Sequence, residues 1–303
     1  MRRIKIIFVG FWPDFIATNN YFYNLLKTKY DLEISDKPDY LFYFTRYNQE
    51  YRKYRCIRIF YTGENIRPDF SECDYAFSFD FSDNPNNYRL PLYAMYVNPP
   101  EKLAKKDLDY ERILAEKTKF CNFVYSKPST KRDNFFRRLS KYKRVDSGGR
   151  YMNNVGGPVE DKLAFLKEYK FTIAFENSSY PGYTTVKLVN PMLVHSLAIY
   201  WGNVIVHRDF NPRSFLNYFD FENEDALIER IIKLDRDDDL YVEYLKQPYY
   251  HNNEVNEYIN PANVLRQFDY IFNNVREPVA LKRSRIFLAR PQRVFSGIHE
   301  RDV

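Results

Sequence analysis

The sequence predicts an α/β protein made of two parallel-sheet halves with a cleft between them. Apolar, β-branched runs alternate with helical patterns in the first half of the chain, and the alternation returns after residue 119. Such alternation is typical of βαβ units, in which a helix returns the chain between two parallel strands. The chain has 303 residues, of which 45% are hydrophobic, so it is long enough for two domains with packed cores.

In the first half, several short segments have a strand pattern and one segment has a helical pattern. Alternating or β-branched residues predict strands at 4–9, 40–44, 57–61 and 75–79, and residues 19–26 are predicted to be helical. The first of these runs follows two basic residues but is too short for a secretion signal, so we interpret it as a strand.

Glu64 is the first candidate functional residue, because it follows a predicted strand on a loop that contains Gly63. Functional groups in open parallel sheets gather at the carboxyl ends of the strands. A carboxylate at such a position can act as a general base. The alternative interpretation is a plain surface acid.

Residues 98–109 contain a proline pair and several charges, which is typical of a connection between domains. The second half then predicts strands at 120–125, 170–175 and 197–201, and helices at 133–141, 162–169, 224–234, 239–245 and 264–273. We therefore divide the chain into an N-terminal domain (1–110), a C-terminal domain (111–275) and a basic tail (276–303).

The segment from Lys170 to Gly202 predicts a strand, a loop, a helix and a strand in that order. Thr184 or Thr185 can cap the helix, which is expected to run to about Ser196. Lys187 then lies in the first helical turn, where the helix dipole disfavours a cation. A bound anion would remove this conflict, and a solvated lysine beside a cap is the alternative.

Arg132 begins another predicted helix and is a second cation of this kind. One acid and two such cations fit a displacement at a sugar diphosphate. In that reaction Glu64 would be the base, and Arg132 and Lys187 would hold the leaving phosphates.

The histidines and cysteines do not indicate a metal or disulfide site. Neither type occurs in pairs at a ligand-like spacing, and the number of cysteines is odd. The residues are His195, His207, His251, His299, Cys56, Cys73 and Cys121. We expect reduced thiols in a cytosolic protein that holds no metal.

The net charge of +6 is concentrated in the tail, where seven Lys/Arg against three acids give +4. The near-neutral body argues against nucleic-acid binding, and no segment has the roughly 18 apolar residues of a membrane span. Apolar residues alternate with the basic ones in residues 276–303. Peripheral attachment to an anionic membrane face and a solvated, partly disordered end are both open.

Several motifs together resemble the α1,3/4-fucosyltransferases of glycosyltransferase family 10, in particular the bacterial type. They are F-E-N at 175–177, Y-x-T-x-K at 183–187, I-Y-W-G at 199–202 and D-F-N-P-x-S-F at 209–215. Tyr61-Thr-Gly-Glu-Asn65 belongs to the same pattern, and residues 132–139 match it more weakly. The combination at these distances is specific, and it spans roughly residues 1–275.

The resemblance implies a GT-B fold, with two Rossmann-like domains facing a central cleft. The acceptor would bind the N-terminal domain, and residues 12–21 are our expectation for part of that surface. The donor would be GDP-β-L-fucose, bound by the C-terminal domain, and its L-fucose would be transferred with inversion. The acceptor would be N-acetylglucosamine of a lactosamine-type glycan such as a lipopolysaccharide O-antigen.

The resemblance also assigns roles to single residues. Glu64 matches the general base of the family, and Arg132 and Lys187 match the pair that holds the diphosphate. Asn177 and Tyr183 match donor contacts. Neither a metal nor a cofactor is required in this scheme, because cations and a helix N-terminus neutralise the leaving group.

Val186 departs from the family pattern, which has T-E-K where this chain has Thr185-Val186-Lys187. The resemblance implies that the missing glutamate lies near the donor, where a carboxylate stabilises positive charge on the sugar. Three interpretations are open: an active fucosyltransferase with a rearranged pocket, an enzyme for another nucleotide sugar, or a weakened or inactive variant. A non-catalytic glycan- or nucleotide-binding protein is the alternative from another class.

Overall fold

The computed structural model describes residues 1–44 and 49–282, and contacts group them into two units. Unit 1 contains Met1–Tyr61, Pro68–Ala76 and the chain from Asp269 onward, and unit 2 contains Thr62–Arg67 and Phe77–Phe268. These two units differ from the domains expected from the sequence, because residues 77–110 group by contact with unit 2. The sequence boundaries at 110 and 275 stay predictions.

Unit 1 is organised by a parallel sheet whose strands lie in the order β2-β1-β3-β4-β5. The strands are β1 (Arg3–Val9), β2 (Asp31–Ile34), β3 (Tyr40–Tyr43), β4 (Ile57–Tyr61) and β5 (Tyr75–Ser78). Ile6 is in register with Ile34 on one side and with Tyr40 on the other. Helix α1 (Tyr21–Leu26) follows β1 and is capped by Asn20, whose side chain accepts from Tyr23 N–H at 3.0 Å.

The segment after residue 268 completes unit 1. Phe272 packs against Tyr40 at 4.5 Å between ring centroids, and Lys29 forms an ion pair with Asp269 at 2.6 Å. Further along, the backbone N–H of Val279 donates to Asp74 at 3.0 Å. The first unit therefore depends on residues that are far away in sequence.

Unit 2 is organised by a second parallel sheet in the order β11-β10-β9-β7-β8. Its strands are β7 (Lys119–Phe123), β8 (Val145–Ser147), β9 (Tyr169–Phe175), β10 (Leu197–Trp201) and β11 (Leu216–Asn217). A short strand, β6 (Asn87–Arg89), leads to Leu90, whose N–H donates to Ser78 O at 2.6 Å beside β5.

Helices alternate with these strands. They are α2 (Tyr93–Tyr96), α3 (Tyr110–Glu116), α4 (Thr130–Leu139), α5 (Lys162–Lys167), α6 (Val186–Leu193), α7 (Glu224–Arg236), α8 (Asp238–Lys246) and α9 (Pro261–Asn273). Most predicted elements are recovered within a few residues, and the α/β prediction is confirmed. Among the described residues, no helix has both the length and the apolar character needed to cross a bilayer.

Helix α6 is shorter than the sequence pattern predicts. It is capped by Thr185, as expected, but it ends at Leu193 rather than near Ser196. Pro191 lies inside the helix, and His195 adopts a φ of 55°, which turns the chain out of the helical direction. The turn lets Ser196 N–H donate to Pro191 O at 2.9 Å directly before β10.

Candidate active site

All six candidate site residues belong to unit 2, and they meet where β9 ends and α6 begins. Glu176 is fully buried immediately after β9. Its Oε1 accepts from Thr185 N–H at 2.7 Å, and its Oε2 accepts from Thr185 Oγ1 at 2.7 Å. Both carboxylate oxygens therefore hold the residue that caps α6.

Lys187 lies in the first turn of α6, as predicted, and points to the same carboxylate. Its Nζ is 3.2 Å from Glu176 Oε2 and 3.2 Å from Thr185 Oγ1. The buried acid thus offsets part of the conflict between this cation and the helix dipole. Our sequence reasoning missed Glu176, although F-E-N directly follows a strand end, which was the available signal.

Gly202 makes room for Glu176 at the end of the neighbouring strand β10. It has a φ of 157°, and a Cβ built on it would lie 2.4 Å from Glu176 Cγ. Real Cβ atoms do not approach other atoms so closely, so a side chain here would displace the acid. The glycine of I-Y-W-G therefore supports the glutamate of F-E-N.

Arg132 lies in the first turn of α4, and its side chain is buried. Its guanidinium carbon is 4.2 Å from the centroid of the Tyr125 ring. Within the described part of the chain, neither Nε nor Nη2 has a hydrogen-bond partner. A buried cation with unused donors is costly unless a ligand anion supplies acceptors.

Lys162 begins α5 and is a cation that the sequence reasoning did not select. Burial and, to a smaller extent, the charge of Lys187 lower its pKa, Glu176 partly offsets both, and the resulting pKa is about 8. These influences place Lys162 near the head of α6. No feature of the local sequence separates it from the other lysines of the chain.

Tyr183 and Asn177 lie on the loop between β9 and α6. The Tyr183 ring is buried, and the side chain of Asn177, which is exposed, lies close to its hydroxyl. Burial raises the pKa of Tyr183, and the nearby charges of Glu176 and Glu64 raise it further. The structure thus brings Tyr183, Asn177 and Glu64 into one neighbourhood.

Asn203 fixes the shape of that loop through two hydrogen bonds of its side chain. Its Oδ1 accepts from Gly182 N–H at 2.7 Å, and its Nδ2 donates to Thr184 Oγ1 at 3.0 Å. The loop is therefore held at its end by a buried amide. Val186, the first residue of α6, follows directly and is half-buried.

Glu64 lies on the loop after β4, at the carboxyl end of the strand, as the sequence predicts. Its N–H donates to Thr62 Oγ1 at 3.1 Å. The next residue, Asn65, donates from Nδ2 to Ser178 Oγ at 2.9 Å. The loop that carries the candidate base is thereby tied to the loop that carries Asn177 and Tyr183.

The D-F-N-P motif serves the fold in this structure. Asp209 is buried and pairs with the buried Arg89 at 2.7 Å between Oδ2 and Nη2. Burial raises the pKa of Asp209, and the guanidinium of Arg89 partly offsets this. Among the described residues, no group of three or more His, Cys, Asp or Glu could hold a metal ion.

Two family profiles match this chain. One is the alpha-(1,3)-fucosyltransferase FucT N-terminal domain, over residues 6–96, and the other is the glycosyltransferase family 10 (fucosyltransferase) C-terminal region, over residues 114–265. The second profile alone covers half of the chain.

Known proteins agree with the profiles. The chain is 34% identical over 250 residues to an alpha-(1,3)-fucosyltransferase FucT of Helicobacter pylori, covering 72% of this chain and 50% of that protein. The match thus spans about half the length of that curated relative. A crystal structure of an α1,3-fucosyltransferase aligns with a TM-score of 0.79 at 28% identity over 92% of both chains.

A further crystal structure, of an α1,3-fucosyltransferase with GDP-fucose, aligns with a TM-score of 0.76 at 27% identity, covering 92% of this chain and 93% of that one. The two parallel sheets and the alignment with these fucosyltransferase structures confirm the GT-B type of fold. The chain therefore belongs to glycosyltransferase family 10, the fucosyltransferase family.

Proposed function

We propose that this chain is an inverting α1,3-fucosyltransferase that uses GDP-β-L-fucose as donor. The observation that carries the proposal is the buried guanidinium of Arg132, with two donor nitrogens that no described residue satisfies. A diphosphate would supply the missing acceptors, since Arg pairs with phosphate through charge-assisted hydrogen bonds. The relative solved with GDP-fucose supports this donor.

Lys187 and the start of α6 would receive the same diphosphate. The helix dipole places partial positive charge beside the Lys187 ammonium, and Lys162 adds charge nearby. When the bond between the anomeric carbon and the diphosphate breaks, its electron pair goes to the phosphate oxygen. Fixed cations that face this growing charge lower the barrier, so neither a metal nor another cofactor is needed.

Glu64 would act as the general base. Its carboxylate takes the proton from the 3-hydroxyl of the acceptor N-acetylglucosamine while that oxygen attacks the anomeric carbon. A single displacement inverts the configuration, so the β-linked donor gives an α-linked product. Asn177 and Tyr183 would contact the donor, because they share a neighbourhood with Glu64 and the head of α6.

The proposed acceptor is a lactosamine-type glycan such as a lipopolysaccharide O-antigen. Synthesis of such a glycan on a lipid carrier would suit a cytoplasmic enzyme that attaches to the inner membrane face through its basic tail. Most of that tail, residues 283–303, lies outside the described part of the chain. The proposal for the tail rests on its sequence of alternating basic and apolar residues.

A second candidate function comes from Val186. An apolar side chain stands at the head of α6 where the family pattern has a carboxylate, and Glu176 is already occupied by Thr185 and Lys187. The sugar specificity would then differ, or turnover would be low. This candidate keeps the fold and the diphosphate site and changes only the transferred sugar or the rate.

The decisive experiment is incubation with a panel of GDP- and UDP-sugars plus N-acetyllactosamine, followed by mass spectrometry of the glycan. We expect addition of one deoxyhexose from GDP-fucose and none from the UDP-sugars. Glu64→Gln is the matched variant, since it keeps the shape and removes the base. Transfer from another nucleotide sugar would favour the second candidate, and full activity of Glu64→Gln would exclude the proposed base.

A further inference from the structure

An exposed tyrosine lies on a loop that is hydrogen-bonded to the loop of the candidate base, and it has no role in the donor site described above. Tyr180 is 40% exposed on the loop between β9 and α6. The guanidinium carbon of Arg67 lies 3.5 Å from its ring centroid and 4.4 Å from that of Phe79. We call Tyr180, Arg67 and Phe79 the tyrosine platform.

The Arg67 and Phe79 side chains of the tyrosine platform are held in place by further contacts. Arg67 Nε pairs with Asp80 Oδ1 at 3.1 Å, and Arg67 Nη1 donates to Asn65 Oδ1 at 3.3 Å. Phe79 is buried, and its ring meets that of Tyr180 edge to face at 6.1 Å. Cation–π and ring contacts of this kind hold the Tyr180 ring in one orientation.

The platform is also close to Glu64 along the same loop. Arg67 follows Glu64 by three residues, and the intervening Asn65 bonds to Ser178, two residues before Tyr180. The loop that carries the base and the loop that carries the exposed ring are therefore linked by direct contacts. The acceptor site that the proposed function places at Glu64 therefore adjoins the loop that carries Tyr180.

The chemistry of the platform fits a pyranose. One side of the Tyr180 ring is covered by Arg67, while two fifths of the residue stays exposed to solvent. A sugar ring presents a flat face of C–H groups, which packs on an aromatic face through dispersion, while its hydroxyls stay in water.

We propose that Tyr180 forms a subsite for the acceptor glycan, with its ring packed on the pyranose that carries the attacking hydroxyl or on its neighbour. This inference rests on the proposed function, since it assumes a glycan acceptor at Glu64. Tyr180 is a binding and specificity residue in this scheme, and it takes no part in the displacement itself.

The test compares Tyr180→Ala and Tyr180→Leu with the wild type in two assays. Binding of N-acetyllactosamine is measured by saturation-transfer NMR and titration, which needs no turnover. We expect both variants to weaken this binding roughly three- to tenfold, in line with the loss of one aromatic contact. Tyr180→Leu keeps much of the bulk of the side chain but removes the aromatic ring. A similar loss of glycan binding in both variants would therefore show that the ring is responsible.

Tyr96→Ala is the matched control, because Tyr96 is 57% exposed in unit 2 and no ring contact is described for it. In the transfer assay the acceptor KM should rise by the same factor, while the donor KM and acceptor-free hydrolysis of GDP-fucose change less than about twofold. Unchanged glycan binding in both Tyr180 variants would overturn the subsite. A wild type that binds glycan through Tyr180 without transfer would instead contradict the proposed function alone.

Discussion

At the scale of single residues, Glu176 organises the candidate site more than any residue selected from the sequence. Its two oxygens hold the cap of α6 and the ammonium of Lys187. The positive charge that was predicted to bind an anion at the start of α6 is thus partly neutralised by a carboxylate of the chain itself. A ligand diphosphate would compete with Glu176 for Lys187, while Arg132 has donors that no described residue occupies.

We expect Lys162 to make the proposed binding of GDP dependent on pH. Burial, followed by the charge of Lys187, lowers its pKa to about 8, so the free protein loses this cation as the pH rises through 8. We expect GDP affinity to be highest below pH 8 and to fall about tenfold by pH 9.5. Calorimetric titration at several pH values measures this.

Lys162→Met is the control for that dependence. It should bind GDP more weakly at pH 7 and show little further loss between pH 8 and 9.5. The same shift affects stability, with the opposite direction in pH. Between pH 8 and about 10.4 the unfolded chain binds a proton that the folded chain has lost, so the contribution of Lys162 to stability rises with pH. A slope that is identical in wild type and variant would contradict the assignment.

Val186 provides a second prediction at this scale. Val186→Glu places a carboxylate at the first residue of α6, where an acid also suits the helix dipole. We expect turnover with GDP-fucose to rise by roughly 10–100-fold if the wild type lacks this charge near the sugar. Val186→Gln separates charge from size, and steady-state kcat of the three proteins is the measurement. No gain in Val186→Glu would favour a rearranged pocket or another donor sugar.

At the scale of elements, β9, α6 and β10 pack together around Glu176. Gly202→Ala should destabilise the fold by about 1–3 kcal/mol, because its Cβ would meet Glu176 Cγ at 2.4 Å. Urea denaturation gives the free energy of unfolding. Gly156→Ala is a suitable control, because it also has positive φ but no atom within 4 Å of its Cβ. An equal loss in both variants would assign the effect to backbone strain alone.

The sequence was sufficient for most elements and insufficient for the contacts that connect them. Strands such as β1 and β4 are short runs rich in β-branched and aromatic residues, which is the composition that predicts a strand. Helix α3 was missed, because it follows a charged connection without a break in composition. The burial of Glu176 was not predicted, since it depends on a glycine at position 202 that only the sheet brings beside it.

The candidate residues divide in the same way. Glu64 and Lys187 occupy the strand end and the helix start that the sequence predicts. Their partners could not be predicted, because they come from separate loops. The buried state of Arg132 was likewise not predicted, since only packing against Tyr125 creates it.

At the scale of the whole molecule, the chain after residue 268 has two parts with different expected roles. Residues 269–282 pack into unit 1 through Phe272 and the Val279–Asp74 hydrogen bond. Deletion from residue 269 should lower the melting temperature strongly, because it uncovers Tyr40 and Tyr30.

Liposome sedimentation with anionic and neutral vesicles tests the proposed membrane role of the tail. We expect the full chain to bind anionic vesicles and to lose most of this binding when residues 283–303 are removed or when salt is raised. A variant that replaces the five arginines of residues 283–303 by glutamine is the matched control. Unchanged sedimentation of the shortened chain would contradict the role.

The unsatisfied guanidinium of Arg132 has a consequence for how long the protein persists in a cell. Any anion that supplies acceptors to its Nε and Nη2 binds only the folded chain, so it also reduces the fraction that is unfolded at any moment. Cellular proteases degrade that fraction. The amount of this protein would then follow the supply of its nucleotide ligand, and a chain deprived of donor would be cleared before it could accumulate as idle enzyme.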